Sequence, residues 1–68
     1  MEQKYTLEGA WTGWDGNTIV EMTDGSKWKQ EEYHYEYRYA YRPKAHFNTR
    51  DNKLMVEGMR RAVRVRRL

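Results

Sequence analysis

Residues 33–47 read YHYEYRYAYRPKAHF, and this stretch decides the fold. Its odd positions hold Tyr33, Tyr35, Tyr37, Tyr39, Tyr41, Pro43, Ala45 and Phe47; its even positions hold His34, Glu36, Arg38, Ala40, Arg42, Lys44 and His46. A period of two sends successive side chains to opposite faces of a β-strand, whereas a helix, repeating every ~3.6 residues, would scatter the tyrosines around its axis. Aromatic rings also suit a pleated, half-buried surface. The stretch is therefore β. Pro43 marks a bend, a bulge or an unpaired edge, because proline has no N–H to give a ladder.

Working upstream, Trp28 sits on an even number, out of phase with the tyrosines. If Trp28 and the tyrosines share a face, an extra residue among Lys29, Gln30, Glu31 and Glu32 must form a β-bulge; the alternative is a break into two strands. Asp24-Gly25 is a turn pair. A two-residue loop would set Glu21 against Trp28, so a three-residue loop, Thr23-Asp24-Gly25, is preferred. It places Gly25 at a left-handed position, Val20 opposite Trp28, and Glu21 opposite Lys27 on the outside. Further upstream, Lys4 to Trp11 alternates loosely, and Gly13-Trp14-Asp15-Gly16-Asn17 reads as a tight turn.

Downstream, Asn48 to Lys53 is a polar turn, Leu54 to Glu57 a short strand, Gly58 to Arg61 a connector, and Ala62 to Leu68 a last strand with Val63 and Val65 inward. Met55, Met59 and Val63 also recur at helical spacing, but Gly58 and the Val-Arg-Val alternation oppose a helix. Five to six short strands with glycine-bearing turns and no clear helix indicate an all-β chain, a small antiparallel Src-homology-3-like barrel. Oligonucleotide-binding barrels usually need more residues. The expected core is Trp11, Trp14, Val20, Met22, Trp28, Leu54, Val56, Val63 and Val65.

One element is too long for such a domain. Residues 28–47 would span roughly 65 Å as one straight strand, against a diameter of roughly 28 Å for a compact chain of this length. The central strand must bend sharply, or its middle must pair elsewhere. Five tyrosines on one face also exceed what so small a core can hide, and each buried hydroxyl needs a polar partner. Part of the row from Tyr33 to Tyr41 is therefore expected in a contact between copies, giving a homodimer or higher homo-oligomer, or in a groove for a protein or peptide.

Sixty-eight residues make one domain, residues 1–68. Leu, Ile, Val and Phe are scarce, which by itself suggests disorder, but three Trp and six Tyr restore the buriable surface. With no Cys, disulfides, thiol nucleophiles and zinc-thiolate sites are excluded. No apolar run suits a membrane span or a signal peptide, and a cytoplasmic location is expected.

Charge divides unevenly: residues 1–32 sum to −4 and residues 33–68 to +7. Arg60, Arg61, Arg64, Arg66 and Arg67 form the densest cluster, a candidate contact for an anion or nucleic acid. The plainer reading pairs that face internally with the acidic half. Aromatics interleaved with bases suit single-stranded nucleic acid, with bases stacked on rings and arginine tracking phosphate. Against it, the bases and tyrosines of this strand lie on opposite faces.

Catalytic constellations are weak. Ser26 stands beside a turn glycine with no histidine in reach, and Asp15 and Asp24 belong to turns that want Asp for backbone reasons. Glu32, His34 and Glu36 share a strand face, but neighbours there stand about 7 Å apart, wide for one ion. No phosphate loop, dinucleotide fingerprint or zinc spacing is present. The chain is expected to bind rather than catalyse, with no cofactor, no metal, no catalytic residue and no membrane partner.

The run GAWTGWDGNTIVEMTDGSKWKQEEYHYEYRYAYRPK, residues 9–44, with Val56-Glu57-Gly58 and Val63-Arg64-Val65, resembles a family of small uncharacterised bacterial proteins, some similar to proteins on integron mobile gene cassettes. The resemblance covers most of the chain. It implies a Src-homology-3-like barrel and leaves function open, since no activity comes with it.

Overall fold

Short alternating runs, most of them stopped by a glycine, proline or Asp/Asn turn, yield strands and no helix among the described residues. The computed structural model describes residues 2–68. It contains β1 (Glu2–Thr6), β2 (Ala10–Asp15), β3 (Ile19–Glu21), β4 (Lys27–Gln30), β5 (Tyr35–Tyr41), β6 (Lys44–Asn48), β7 (Lys53–Val56) and β8 (Val63–Arg67). The C-terminal helix weighed above does not form. No helix among the described residues is long and apolar enough to cross a membrane.

All pairings are antiparallel. Six strands form one sheet in the order β1-β6-β7-β8-β4-β3, and β2 pairs with β5 in a second sheet. The all-β class stands, but the expected barrel of five to six strands is corrected to eight strands in two open sheets. The ends of the larger sheet meet only at a bridge between Leu7 and Met22. There Glu8 N donates to Glu21 O at 2.8 Å and Thr23 N to Thr6 O at 2.9 Å. β3 is three residues long, cut short by turns on both sides, so β1 finds no ladder to extend along it.

The long bent central strand is also corrected. Residues 28–47 divide among β4, β5 and β6. The molecule measures 27 × 25 × 20 Å, so an unbroken strand of that length has no room. The phase slip after Trp28 is a break at residues 31–34, not a bulge. The second break falls at Arg42 (φ 50°) and Pro43.

The β3–β4 hairpin has the register read from its turn, with Val20 opposite Trp28 and Glu21 opposite Lys27. Asp24 accepts from Ser26 N (2.9 Å) and Oγ (2.6 Å), and Ser26 Oγ accepts from Trp28 Nε1 at 3.0 Å. The turn thereby satisfies the polar end of a core indole.

Every residue of the expected core is buried, joined by Leu7, Ala45, Phe47 and Met59. Trp11 and Trp14 meet edge-to-face at 5.0 Å although three residues apart on one strand, where simple alternation would put them on opposite faces. Gly13 resolves this. Its φ of +106° accompanies a register shift, Trp11 opposite Ala40 but Gly13 opposite Tyr37, that turns both indoles inward. A Cβ at Gly13 would collide with Glu36 O on β5, so only glycine fits.

Candidate functional site: an exposed tyrosine strand

β5 pairs with β2 alone among the described residues. Of its even residues Glu36 and Ala40 are half-buried, as is His34 just before the strand, while Arg38 is exposed. Its odd side chains turn to solvent. Tyr33 is 80% exposed, Tyr35 67%, Tyr37 72%, Tyr39 62% and Tyr41 70%. The residues across from them on β2 are short, Asp15 against Tyr35, Gly13 against Tyr37 and Ala10 against Tyr41, so no neighbouring side chain covers the rings. The row exposes on the order of 700 Å², given ~150–250 Å² per aromatic side chain. The largest apolar patch on an ordinary monomer is ~300–600 Å², and one partner of a standard interface contributes ~800 Å². The domain thus presents an aromatic interaction surface with basic residues around it.

The start of β5 is positioned by Gln30, which is 3% exposed. Its Oε1 accepts from Gly16 N at 2.9 Å and Thr18 N at 3.3 Å. Its Nε2 donates to Glu32 O and His34 O, both at 3.0 Å. One amide thus ties the β2–β3 turn to the linker that delivers Tyr33 and Tyr35. The sequence reading missed this residue. The signal was available in Trp28's own phase, because position 30 shares its face.

The basic cluster does not converge on the tyrosines. Arg61 pairs with Glu32 at 3.7 Å and Arg66 with Glu31 at 3.2 Å; Arg67 lies 5.6 Å over the Trp28 ring. Arg64 gives its backbone N–H to Glu32 Oε1 at 2.9 Å. That bond, with Lys53, Arg61 and Arg64 nearby, holds the Glu32 carboxyl below the usual range. Internal pairing with the acidic half therefore accounts for much of this face. Arg60 is the exception: its N–H reaches Glu36 Oε2 at 3.1 Å, which brings the connector against β5.

Glu36 also bonds His34 Nε2 at 2.9 Å, and this contact with the Arg60 N–H lowers its pKa. Glu32 faces Lys53 and the β8 backbone instead, so the Glu32, His34 and Glu36 set does not assemble. No group of three His, Cys, Asp or Glu among the described residues is placed to hold a metal. Asp15 accepts from Asn17 N and Thr18 Oγ1, and Asp24 from Ser26, as turn residues do.

No protein-family model, curated protein or solved structure matches the chain. The likeness to integron-cassette proteins therefore has no relative to support or oppose it. The barrel it implied is overturned by the open sheets, and a barrel or cassette description does not fit this topology.

Proposed function

We propose that this domain binds single-stranded nucleic acid along β5, as a binding module rather than a catalyst, with bases stacked on the tyrosines and cations drawn to the phosphates. The observation behind this reading is the uncovered row, Tyr35 to Tyr41, on one face of one strand. Alternate residues on a strand stand ~6.6–6.8 Å apart. A single strand with one ring inserted between successive bases would rise about twice the ~3.4 Å per nucleotide of a duplex strand, which matches. The net charge of +3 favours a polyanion. Stacking is worth ~1–3 kcal/mol per base, so Tyr37→Ala should weaken binding roughly 5- to 150-fold. Fluorescence anisotropy with labelled oligothymidylate at low salt tests this. Absence of binding, or equal binding by wild type and a Tyr35→Ala/Tyr37→Ala variant, refutes it.

Self-association into a homodimer or larger assembly is a second reading, favoured by the lone pairing of β5. The segment Glu36-Tyr37-Arg38 is self-complementary. Antiparallel pairing of two copies centred on Tyr37 would set Glu36 of one against Arg38 of the other and Tyr35 against Tyr39. Light scattering at high protein concentration decides it: a mass staying at 8.3 kDa removes this reading.

A further inference from the structure

We infer that the phosphates of the bound strand run through the groove between β5 and the connector at Gly58 and Arg60, contacted by Arg38 and Arg60 rather than by the arginines of β8. The inference rests on the nucleic-acid reading above. The groove encloses about 300 Å³, with Tyr35, Tyr37 and Arg38 contributed by β5 and Gly58 and Arg60 by the connector. Tyr35 and Tyr37 thus border the groove that Arg38 and Arg60 also line, with the rings on the outer face of the strand and the Arg38 side chain on the other, against Gly58.

Among the described residues neither guanidinium is held in an ion pair, a feature Arg64 shares; the Arg and Lys side chains so held are Arg42, Arg61, Arg66 and Lys53. Arg38 is also seated. Its side chain lies against Gly58, where a Cβ would collide with its Nε, and Gly58 has φ +88°. Arg60 is held to β5 by its N–H bond to Glu36. That carboxylate lies in the same groove, but it is engaged by the Arg60 N–H and by His34, and two arginines outnumber it. By contrast, Arg64 and Arg66 point outward from β8 while Val63 and Val65 point into the core shared with β2. The core thus separates them from the tyrosine face, and Glu31 and Glu32 offset their charge.

Salt dependence tests the assignment, since each phosphate contact on a single strand contributes about −0.7 to the slope of log affinity against log salt. With oligothymidylate as the probe, Arg38→Gln/Arg60→Gln should flatten the slope by about 1.4, removing roughly sevenfold of the affinity lost between ~50 and ~200 mM salt. Arg64→Gln/Arg66→Gln should leave the slope as in wild type. Arg38→Lys/Arg60→Lys keeps the charges and should keep the slope, which separates lost contacts from a damaged fold. A wild-type slope in Arg38→Gln/Arg60→Gln, or a flattened one in the β8 variant alone, overturns the inference. If that happens while Tyr37→Ala still weakens binding, the nucleic-acid reading survives without it; if wild type binds nothing, both fall.

Discussion

Replacing Gln30 with methionine should remove a large part of this domain's stability while barely changing side-chain volume. Four backbone groups lose their partner: the N–H groups of Gly16 and Thr18 and the carbonyls of Glu32 and His34. At ~0.5–1.5 kcal/mol net per hydrogen bond, with the long Thr18 bond at the low end, the loss sums to roughly 2–5 kcal/mol. Burying a thioether instead of an amide returns about 1 kcal/mol. The net loss of about 1–4 kcal/mol compares with a total of ~3–10 kcal/mol expected for a chain of this length. It corresponds to a fall in Tm of roughly 5–30 °C. Urea unfolding followed by tryptophan fluorescence measures it, and amide exchange at Gly16 and Thr18 locates it. Gln30→Glu provides a sign test. It keeps an acceptor for the two N–H groups but sets a carboxylate against two carbonyls, so it should be worse than methionine at neutral pH and recover on acidification. A loss below about 1 kcal/mol for Gln30→Met, with exchange at Gly16 and Thr18 unchanged, would refute the role assigned to this side chain.

Two further outcomes are expected. Gly13→Ala combines a left-handed φ with a collision against Glu36 O and should cost more than ~3 kcal/mol, read as loss of the cooperative unfolding transition; a stable variant with native near-ultraviolet dichroism would contradict the packing described for Trp11 and Trp14. Asp15, Asp24, Glu32 and Glu36 are held below their ordinary values, chiefly by the Asn17 N–H, the Ser26 hydroxyl, the Arg64 N–H and His34 respectively. The unfolded chain therefore binds more protons in this range, so stability should be complete above the ordinary carboxylate pKa and fall as pH drops through it toward the lower folded values. Urea midpoints across ~pH 6 to 2 check this, and stability that rises on acidification contradicts it.

Much of the fold was legible locally. Asp24-Gly25 specified a three-residue loop, and with it the facing of Val20 and Trp28, because turn length sets hairpin register. The alternation in 33–47 sorted tyrosines from charges before any neighbour was known. Less legible was the pairing of Trp11 with Trp14, which needs a left-handed glycine between them, and the role of Gln30, whose four partners come from two separate segments. Of the five C-terminal arginines singled out by sequence, only Arg60 lies beside the tyrosines. Spacing along β8 carries no information about a strand in the other sheet.

Sequence alone determined that five tyrosines share a side, that the chain is β, and nine of the thirteen apolar residues of the core. Tertiary structure decided that the tyrosine side faces water. A period of two defines two faces but not which is covered; that depends on what packs behind the strand and on the register of its partner. Here β2 fills the interior with two tryptophans and sets only short residues opposite the rings. Tertiary structure also decided that the sheet stays open, because β3 ends too soon for β1 to join it.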